Sequence, residues 1–412
     1  MPSKDLLNLV GDWEGYRVTS VTREPAQGDA PETIRVRLEP DPDQPLICDA
    51  CGYPAERIHD STWRTVRDLP IFEARTELEV LTRRVWCPHC GGPKRERVSW
   101  LDAHQRLTKR FAESIFNLCQ MLPVAQVAAF YSVHWHTVKN VDKAALKARV
   151  EPVDLSAVTV LGIDEFALHK GHRYATVIID PTRKQVLWVG AGRSREAIRP
   201  FFTDVLGPEG CARIEAVVMD MSTAFEEETR AQCPNAEVVF DLFHVVAKYG
   251  REVIDRVRVD EANRLRDDKP ARRVVKRARW LLLRNRENLP RPEDAVRLDE
   301  LLAANQSLMT VYVLKEDLKR LWAYRHTGYA RAFWAAWLRR ALSSGIAPLK
   351  RFARRLRPYV RGILAHCRYP LHTSLLEGIN NRIKVIKRMA YGFRDQEYFF
   401  LKIQAAFPGN PR

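Results

Sequence analysis

Residues 158–166 read Val158-Thr159-Val160-Leu161-Gly162-Ile163-Asp164-Glu165-Phe166. An apolar, β-branched run that stops at carboxylates is the pattern of a buried strand delivering an acid to its tip. The pattern continues outward. Residues 172–180 (HRYATVIID) read as a second strand, residues 181–184 as a turn, and residues 185–190 (QVLWVG) as a third strand. A helix signal covers residues 194–206. Residues 214–220 then repeat the theme, an apolar run closing on Asp220. Residues 224–232 read as a helix and residues 237–243 (EVVFDLF) as a fifth strand with His244 at its end. The fold class these stretches predict is multidomain α/β, a mixed sheet with acids at its strand ends.

Composition narrows the function. A chain of 412 residues exceeds what one core usually serves, so two to four domains are expected. Lysine and arginine outnumber aspartate and glutamate 67 to 51, and the resulting +16 charge favours a polyanionic partner such as nucleic acid over an acidic small substrate. No apolar run is long enough to span a membrane, and residues 1–10 lack the basic start and apolar centre of a signal peptide. The reading is a cytoplasmic protein with no membrane partner. Of eight cysteines, Cys119, Cys211, Cys233 and Cys367 stand alone in apolar surroundings, which fits a reducing compartment.

The other four cysteines form two CxxC pairs, Cys48/Cys51 and Cys87/Cys90. Four soft thiolates close a tetrahedron around one structural zinc. The gap between the pairs exceeds the usual ribbon spacing, but residues 62–66 and 76–86 read as a hairpin that returns the second pair to the first. His59 and His89 are the alternative ligands. Residues 1–100 are therefore assigned to a small zinc-binding β module.

Residues 101–149 show helical periodicity, and residues 122–139 have the form of a helix-turn-helix in a domain spanning 101–150. Ala128 and Ala129 permit a close crossing, and Val133 and Val138 are core positions. His134, His136, Thr137, Lys139 and Asn140 then lie on the face that enters a major groove. Beyond residue 245 the pattern becomes helical, with Leu298, Leu301, Leu302, Leu308, Val311, Leu318, Leu321 and Trp322 at helical spacing. This reads as an all-helical insertion, residues 246–367, between core segments 151–245 and 368–412. Basic clusters such as Arg272, Arg273, Lys276, Arg277 and Arg279 sit within it. The last element, residues 371–388, is a basic helix carrying one conspicuous acid, Glu377. Glu377, Asn381 and Lys384 share one stripe; Ile379, Ile383 and Ile386 form another that packs on the sheet. Lys384, Lys387 and Arg388 are its DNA-binding candidates.

The order strand-Asp, meander, helix, strand-Asp, helix, strand, helical insertion, Glu-bearing helix resembles the DDE transposases with an RNase H-like catalytic core. More closely, the chain resembles the ISL3 group of bacterial insertion-sequence transposases. The matching segments are the CxxC pairs, the helix-turn-helix, GIDEFALHKGHRYATVIID, VVMDMSTAF, DLFHVV and SLLEGINNRIKVIKRMAYGFRD. The resemblance implies a catalytic triad of Asp164, Asp220 and Glu377 holding two magnesium or manganese ions. It matches Lys384 to a basic residue two turns after the glutamate. It also implies cleavage and strand transfer at the element's ends in double-stranded DNA, and at least a dimer on DNA, since two ends are joined. Glu165, Asp180 and Asp241 are nearby acids, with Asp241 and His244 placed to support the site from behind. The alternatives are a structure-selective nuclease of the same fold, a transposase-derived DNA-binding regulator without catalysis, and a non-catalytic scaffold.

Overall fold

The computed structural model describes residues 11, 13–28, 31–150, 152–169, 171, 173–371 and 374–409. The readings at residues 1–10, His172, His372 and Thr373 lie outside the described residues. The chain divides into two compact units, Met1–Arg149 and Val150–Arg412. Among the described residues no helix is long and apolar enough to cross a membrane.

The first unit is built on a sheet of order β1-β2-β4-β3, comprising β1 (Tyr16–Glu24), β2 (Thr33–Pro40), β3 (Arg57–Ile71) and β4 (Ala74–Trp86), with β5 (Pro93–Arg95) paired to β4. β3 and β4 form the expected hairpin, in register from Arg57↔Trp86 to Ile71↔Ala74. Alternating residues of β2 and β4, among them Val36, Leu38, Leu78 and Val80, are buried with Trp13 and Trp100. Three helices follow: α1 (Lys109–Cys119), α2 (Val124–Phe130) and α3 (Trp135–Arg149). Their small core is Phe111, Ile115, Val127, Tyr131 and Val138, with Val133 half-buried against it.

Residues 101–108 are not helical as the periodicity led us to expect. Residues 101–105 form turns and residues 106–108 lie along β3 instead, with the Arg67 amide donating to the Arg106 carbonyl (2.8 Å) and the Thr108 amide to the Arg67 carbonyl (3.0 Å). Backbone groups satisfied by a strand edge gain nothing from a helical turn. Thr108 then caps α1. Buried Asp68 on β3 fastens the junction, accepting from Trp13 Nε1 (2.8 Å) and Thr108 Oγ1 (2.5 Å) and pairing with Arg110. Burial alone raises such an acid, yet these bonds hold its carboxyl below the usual range.

The second unit has a sheet of order β10-β9-β6-β7-β8. β6 (Val160–His169), β7 (Arg173–Asp180) and β8 (Gln185–Ala191) make the antiparallel meander; β9 (Ala216–Met219) and β10 (Glu237–Phe240) run parallel to β6. Asp164 is therefore not at a strand tip. β6 continues past it because residues 164–169 stay paired with β7, from Asp164↔Val177 to His169↔Arg173. What ends at this level is the pairing with β9, whose last match is Ile163↔Met219. The fifth strand also stops earlier than expected, at Phe240. Asp241 precedes helix α5 (Leu242–Tyr249), which follows α4 (Thr223–Gln232) and places His244 in its first turn. The Leu242-Phe243 pair reads as strand, but Phe243 is exposed on the helix while Val245 and Tyr249, four apart, are buried.

One sheet face, with Leu161, Ile163, Val217, Met219, Val238 and Phe240, packs into the helical region, and Leu298, Leu302, Leu308, Val311 and Leu318 belong to the same core. The Tyr249 hydroxyl donates to the Val311 carbonyl (2.8 Å) across it. The insertion thus shares its core with the sheet rather than closing one of its own. The opposite face, with Phe166, Leu168, Ala216, Val218 and Val239, is covered by α6 (Ser374–Met389) and α7 (Gln396–Ala406) through Leu376, Ile379, Ile383, Phe399 and Ile403. Ile386 is half-buried there. A Cβ on Gly162 would stand 2.8 Å from Ile179 and 3.4 Å from Leu376, so a side chain there would force Ile179 of β7 to shift beneath α6.

Candidate acidic centre and DNA-facing modules

Strand register builds the acidic centre. Ile163, Met219 and Phe240 are at one level across β6, β9 and β10, so Asp164, Asp220 and Asp241 follow at the next. Because Ile163 faces the helical region, alternation turns Asp164 toward the face covered by α6, while Asp220 and Asp241 are the first residues after β9 and β10. Asp164 is held at both oxygens. Oδ1 accepts the Glu165 amide (2.7 Å), and Oδ2 accepts Nδ2 of Asn380 on α6 (2.6 Å). Asp220 Oδ1, Asp241 Oδ2 and Asn380 Oδ1 are buried without a hydrogen-bond partner.

The electrostatics are those of acids held close in a poorly solvated place. Burial pushes Asp164 up to about 6, opposed by the Glu165 amide and the nearby His244 and reinforced by Asp220. Burial likewise raises Asp220, with His244 and Lys248 opposing and Glu165 adding. His244 Nε2 lies 3.9 Å from Asp241 Oδ2. Orphaned carboxylate and amide oxygens beside acids reluctant to ionise form a hard-donor set that suits a divalent cation such as magnesium or manganese.

Glu377 is not gathered as closely. It is exposed on α6, one turn before Asn380. Among the described residues, only the four-cysteine set brings three or more His, Cys, Asp or Glu ligand atoms all within 4.8 Å of one another. Asn380, not Glu377, touches Asp164. Asn380 was missed in the sequence, although a signal existed: it is the polar member of the buried stripe Leu376, Ile379, Asn380 and Ile383. Asn381 and Lys384 are exposed and bonded to each other (3.4 Å), and Arg388 is exposed. Lys387 is engaged, its Nζ donating to the Ala167 carbonyl of β6 (2.9 Å). Glu165 pairs with Arg193 (2.8 Å). Asp180 accepts from the amides of Thr182 and Arg183 in the β7–β8 turn.

In the first unit, Cys48 and Cys90 sulfurs are 4.0 Å apart and those of Cys51 and Cys87 3.6 Å. A zinc tetrahedron with bonds of about 2.3 Å has sulfur edges of about 3.8 Å, so the thiols fit one. The β3–β4 hairpin explains the long spacing, because its open end carries the second pair back beside the first and β5 then pairs on β4. His89 stacks on Tyr53 and His59 lies against Asp60, so neither completes the set. His134, just before α3, is exposed; on α3, His136 and Asn140 are exposed and Thr137 and Lys139 half-exposed, while Val138 is fully buried. The other four cysteines are buried and form no disulfide.

A unit pairing a four-thiol β module with a helix-turn-helix, followed by a unit whose sheet brings aspartates to one level, defines a DNA-binding transposase. The chain belongs to the ISL3 family of transposases. The family's transposase domain matches residues 161–403, and its helix-turn-helix domain residues 96–146. The zinc-finger of transposase IS204/IS1001/IS1096/IS1165 matches residues 44–90. The chain is 56% identical over 412 residues, all of both chains, to the transposase for insertion sequence element IS1001 of Bordetella parapertussis. It is 27% identical over 375 residues, 85% of this chain and 83% of the relative, to the transposase for insertion sequence element IS1557 of Mycobacterium tuberculosis.

Proposed function

We propose that Asp164, Asp220 and Glu377 are the catalytic acids of an RNase H-like core that cleaves the element's ends and transfers them to target DNA. The observation that carries this is that Asp164 on β6 and Asp220, the residue after β9, each follow the last register pair of the two parallel strands, Ile163↔Met219, with the Glu377 helix bonded to Asp164 through Asn380. A meander followed by two parallel strands, with helices on both faces, supports the RNase H-like reading. Two magnesium or manganese ions, when bound, activate a hydroxyl nucleophile and neutralise the leaving 3′ oxygen. Asp164 and Asp220 would hold them, with Glu377, exposed on α6, as the third carboxylate. His244 and Lys248 temper the charge of the pair. The chain acts in the cytoplasm as at least a dimer on DNA, with the domain boundaries drawn above. Incubation with a labelled element end and magnesium tests the proposal. Cleavage followed by joining to target DNA is expected, and cleavage of any branched duplex without joining would favour a nuclease.

A second reading makes Asp241 the third acid, because it is buried beside Asp220 with an orphaned oxygen while Glu377 is exposed. Paired Glu377→Gln and Asp241→Asn variants decide between them in the same assay.

Asn380 is the positioning residue for Asp164. Asn380→Leu keeps the bulk but leaves Asp164 Oδ2 unheld, and loss of such a supporting bond typically costs about 10- to 100-fold in metal affinity or activity. The expected result is a higher magnesium midpoint for cleavage with unchanged end binding. An unmoved midpoint would reduce Asn380 to a packing residue.

The raised Asp164 sets a pH signature. Its folded value of about 6 lies above the usual 3.8, so the metal-free folded chain holds the extra proton between those values. Stability therefore falls as pH rises from about 4 to about 6 and is level above that, as far as this acid is concerned. Cations compete with the proton, so magnesium is expected to raise the melting temperature little at about pH 5 and most above about pH 6.5. A magnesium shift that is flat across this range would remove Asp164 from the ligands.

A further inference from the structure

Within the first unit, a cleft of about 890 Å³ opens between the β module and the helix-turn-helix. Arg67 and Arg75 reach it from β3 and β4, Arg106 from the segment leading into α1, and Thr137 and Asn140 from α3. Its cationic side is unusually built. The Arg67 guanidinium donates to the carbonyls of Tyr131 (3.2 Å) and Ser132 (3.4 Å), in the turn between α2 and α3. No carboxylate pairs with it among the described residues, and its Nε is buried without a partner. Arg75 pairs with Glu77 (2.6 Å), but its Nε is also buried and unpartnered. Arg106 is exposed, and its backbone is fixed to β3 by the Arg67 amide. The acids that line the cleft are spent internally, Asp102 on Lys109 (3.1 Å) and Glu113 on Arg149. Burial, then the neighbouring Arg75, lowers Arg67 to about 10, with Glu77 opposing.

A guanidinium left short of acceptors costs stability unless an anion completes it. The anion must be small, rich in oxygen acceptors and able to stand beside α3. A phosphate diester meets all three demands, since arginine forks match phosphate oxygens and backbone phosphates flank any helix laid in a major groove. We propose that this cleft is a phosphate site for the backbone of duplex DNA, formed by Arg67, Arg75 and Arg106 beside Thr137 and Asn140. The β module is then part of the DNA-binding surface and not only a zinc-held support for the helices. The proposal rests on α3 being the DNA-facing helix.

The test uses the full, zinc-loaded chain and two duplexes of equal length, one carrying the element's terminal sequence and one unrelated. Affinity is measured by anisotropy across a salt series. Phosphate contacts are blind to sequence, so Arg106→Gln and Arg75→Gln are each expected to weaken both duplexes by the same factor. Each is expected to reduce the slope of log affinity against log salt by about 0.9. Arg17→Gln, exposed and outside the cleft, is the control and leaves the slope unchanged. Arg67→Lys keeps the charge but loses the fork, and is read beside its melting curve to separate lost contact from a loosened turn. Wild-type affinity and slope in both Arg75→Gln and Arg106→Gln would overturn the proposal. If His136→Ala, on α3 but outside the cleft, at the same time erased the preference for the terminal duplex, the α3 reading would stand and the cleft alone would fall. A wild-type chain that bound neither duplex would remove both.

Discussion

Asp164→Asn and Asp220→Asn are expected to abolish end cleavage and strand transfer while leaving folding and end binding intact. Each substitution removes a charge but almost no volume, and both sites are already poorly solvated. If the bound cations contribute about 4 kcal/mol of transition-state stabilisation, the loss is about three orders of magnitude in rate. Neither variant is expected to lower thermal stability in the absence of metal. A buried acid raised above its usual value is a cost to folding above about pH 6, and the amide lacks that cost. Rising or unchanged melting temperature together with lost cleavage is the signature of a ligand rather than a structural acid. Glu165→Gln is the contrasting change, because Glu165 already pairs with Arg193 and alternation turns it from α6. Cleavage at the wild-type rate by the Asp220 variant in magnesium would end the assignment.

The sequence made this centre partly legible, and the limits are physical. Periodicity carried the three-stranded meander, the buried stripe of α6 and the apolar positions of the insertion, since each depends on residues near in sequence. It did not reveal where β6 ends, because Asp164 looks like a terminus only when the β7 pairing that sustains residues 164–169 is unknown. The same blindness made Leu242 and Phe243 look like strand, when Val245 and Tyr249 bury the other side of a helix. Asn380 was passed over because its partner Asp164 is remote in the chain. The shared core of sheet and insertion was likewise invisible, since helical spacing tells which residues of the insertion are buried and not what they are buried against. The triad itself came through resemblance. The fold brings Asp164 and Asp220 to one level but leaves Glu377 exposed, so the third acid is the assignment that most needs the paired variants.

Removal of zinc is expected to have the largest structural effect. Apparent binding energies of structural zinc in small modules are about 10–16 kcal/mol at neutral pH, against a total stability of about 5–15 kcal/mol for a typical domain. The thiols close the open end of the β3–β4 hairpin: Arg57↔Trp86 is its last pair, Cys87 follows at once, and Cys48 bridges to Glu96. Cys48 and Cys87 are fully buried, so losing the metal there leaves nothing but weak thiol contacts to tie the two CxxC pairs together. Cys87→Ala, or chelation of the wild-type chain, is expected to unfold this end of the module. The core of Val36, Leu38, Leu78 and Val80, tied through Asp68 to α1, is expected to hold longer. The measurable outcome is one equivalent of zinc lost, a new low-temperature transition, and weakened end binding. Cys119→Ala, outside the sulfur cluster, is expected to keep its zinc and its affinity. A chain stripped of zinc that still bound the element's end at full strength would show that the four sulfurs are not what holds the DNA-binding unit together.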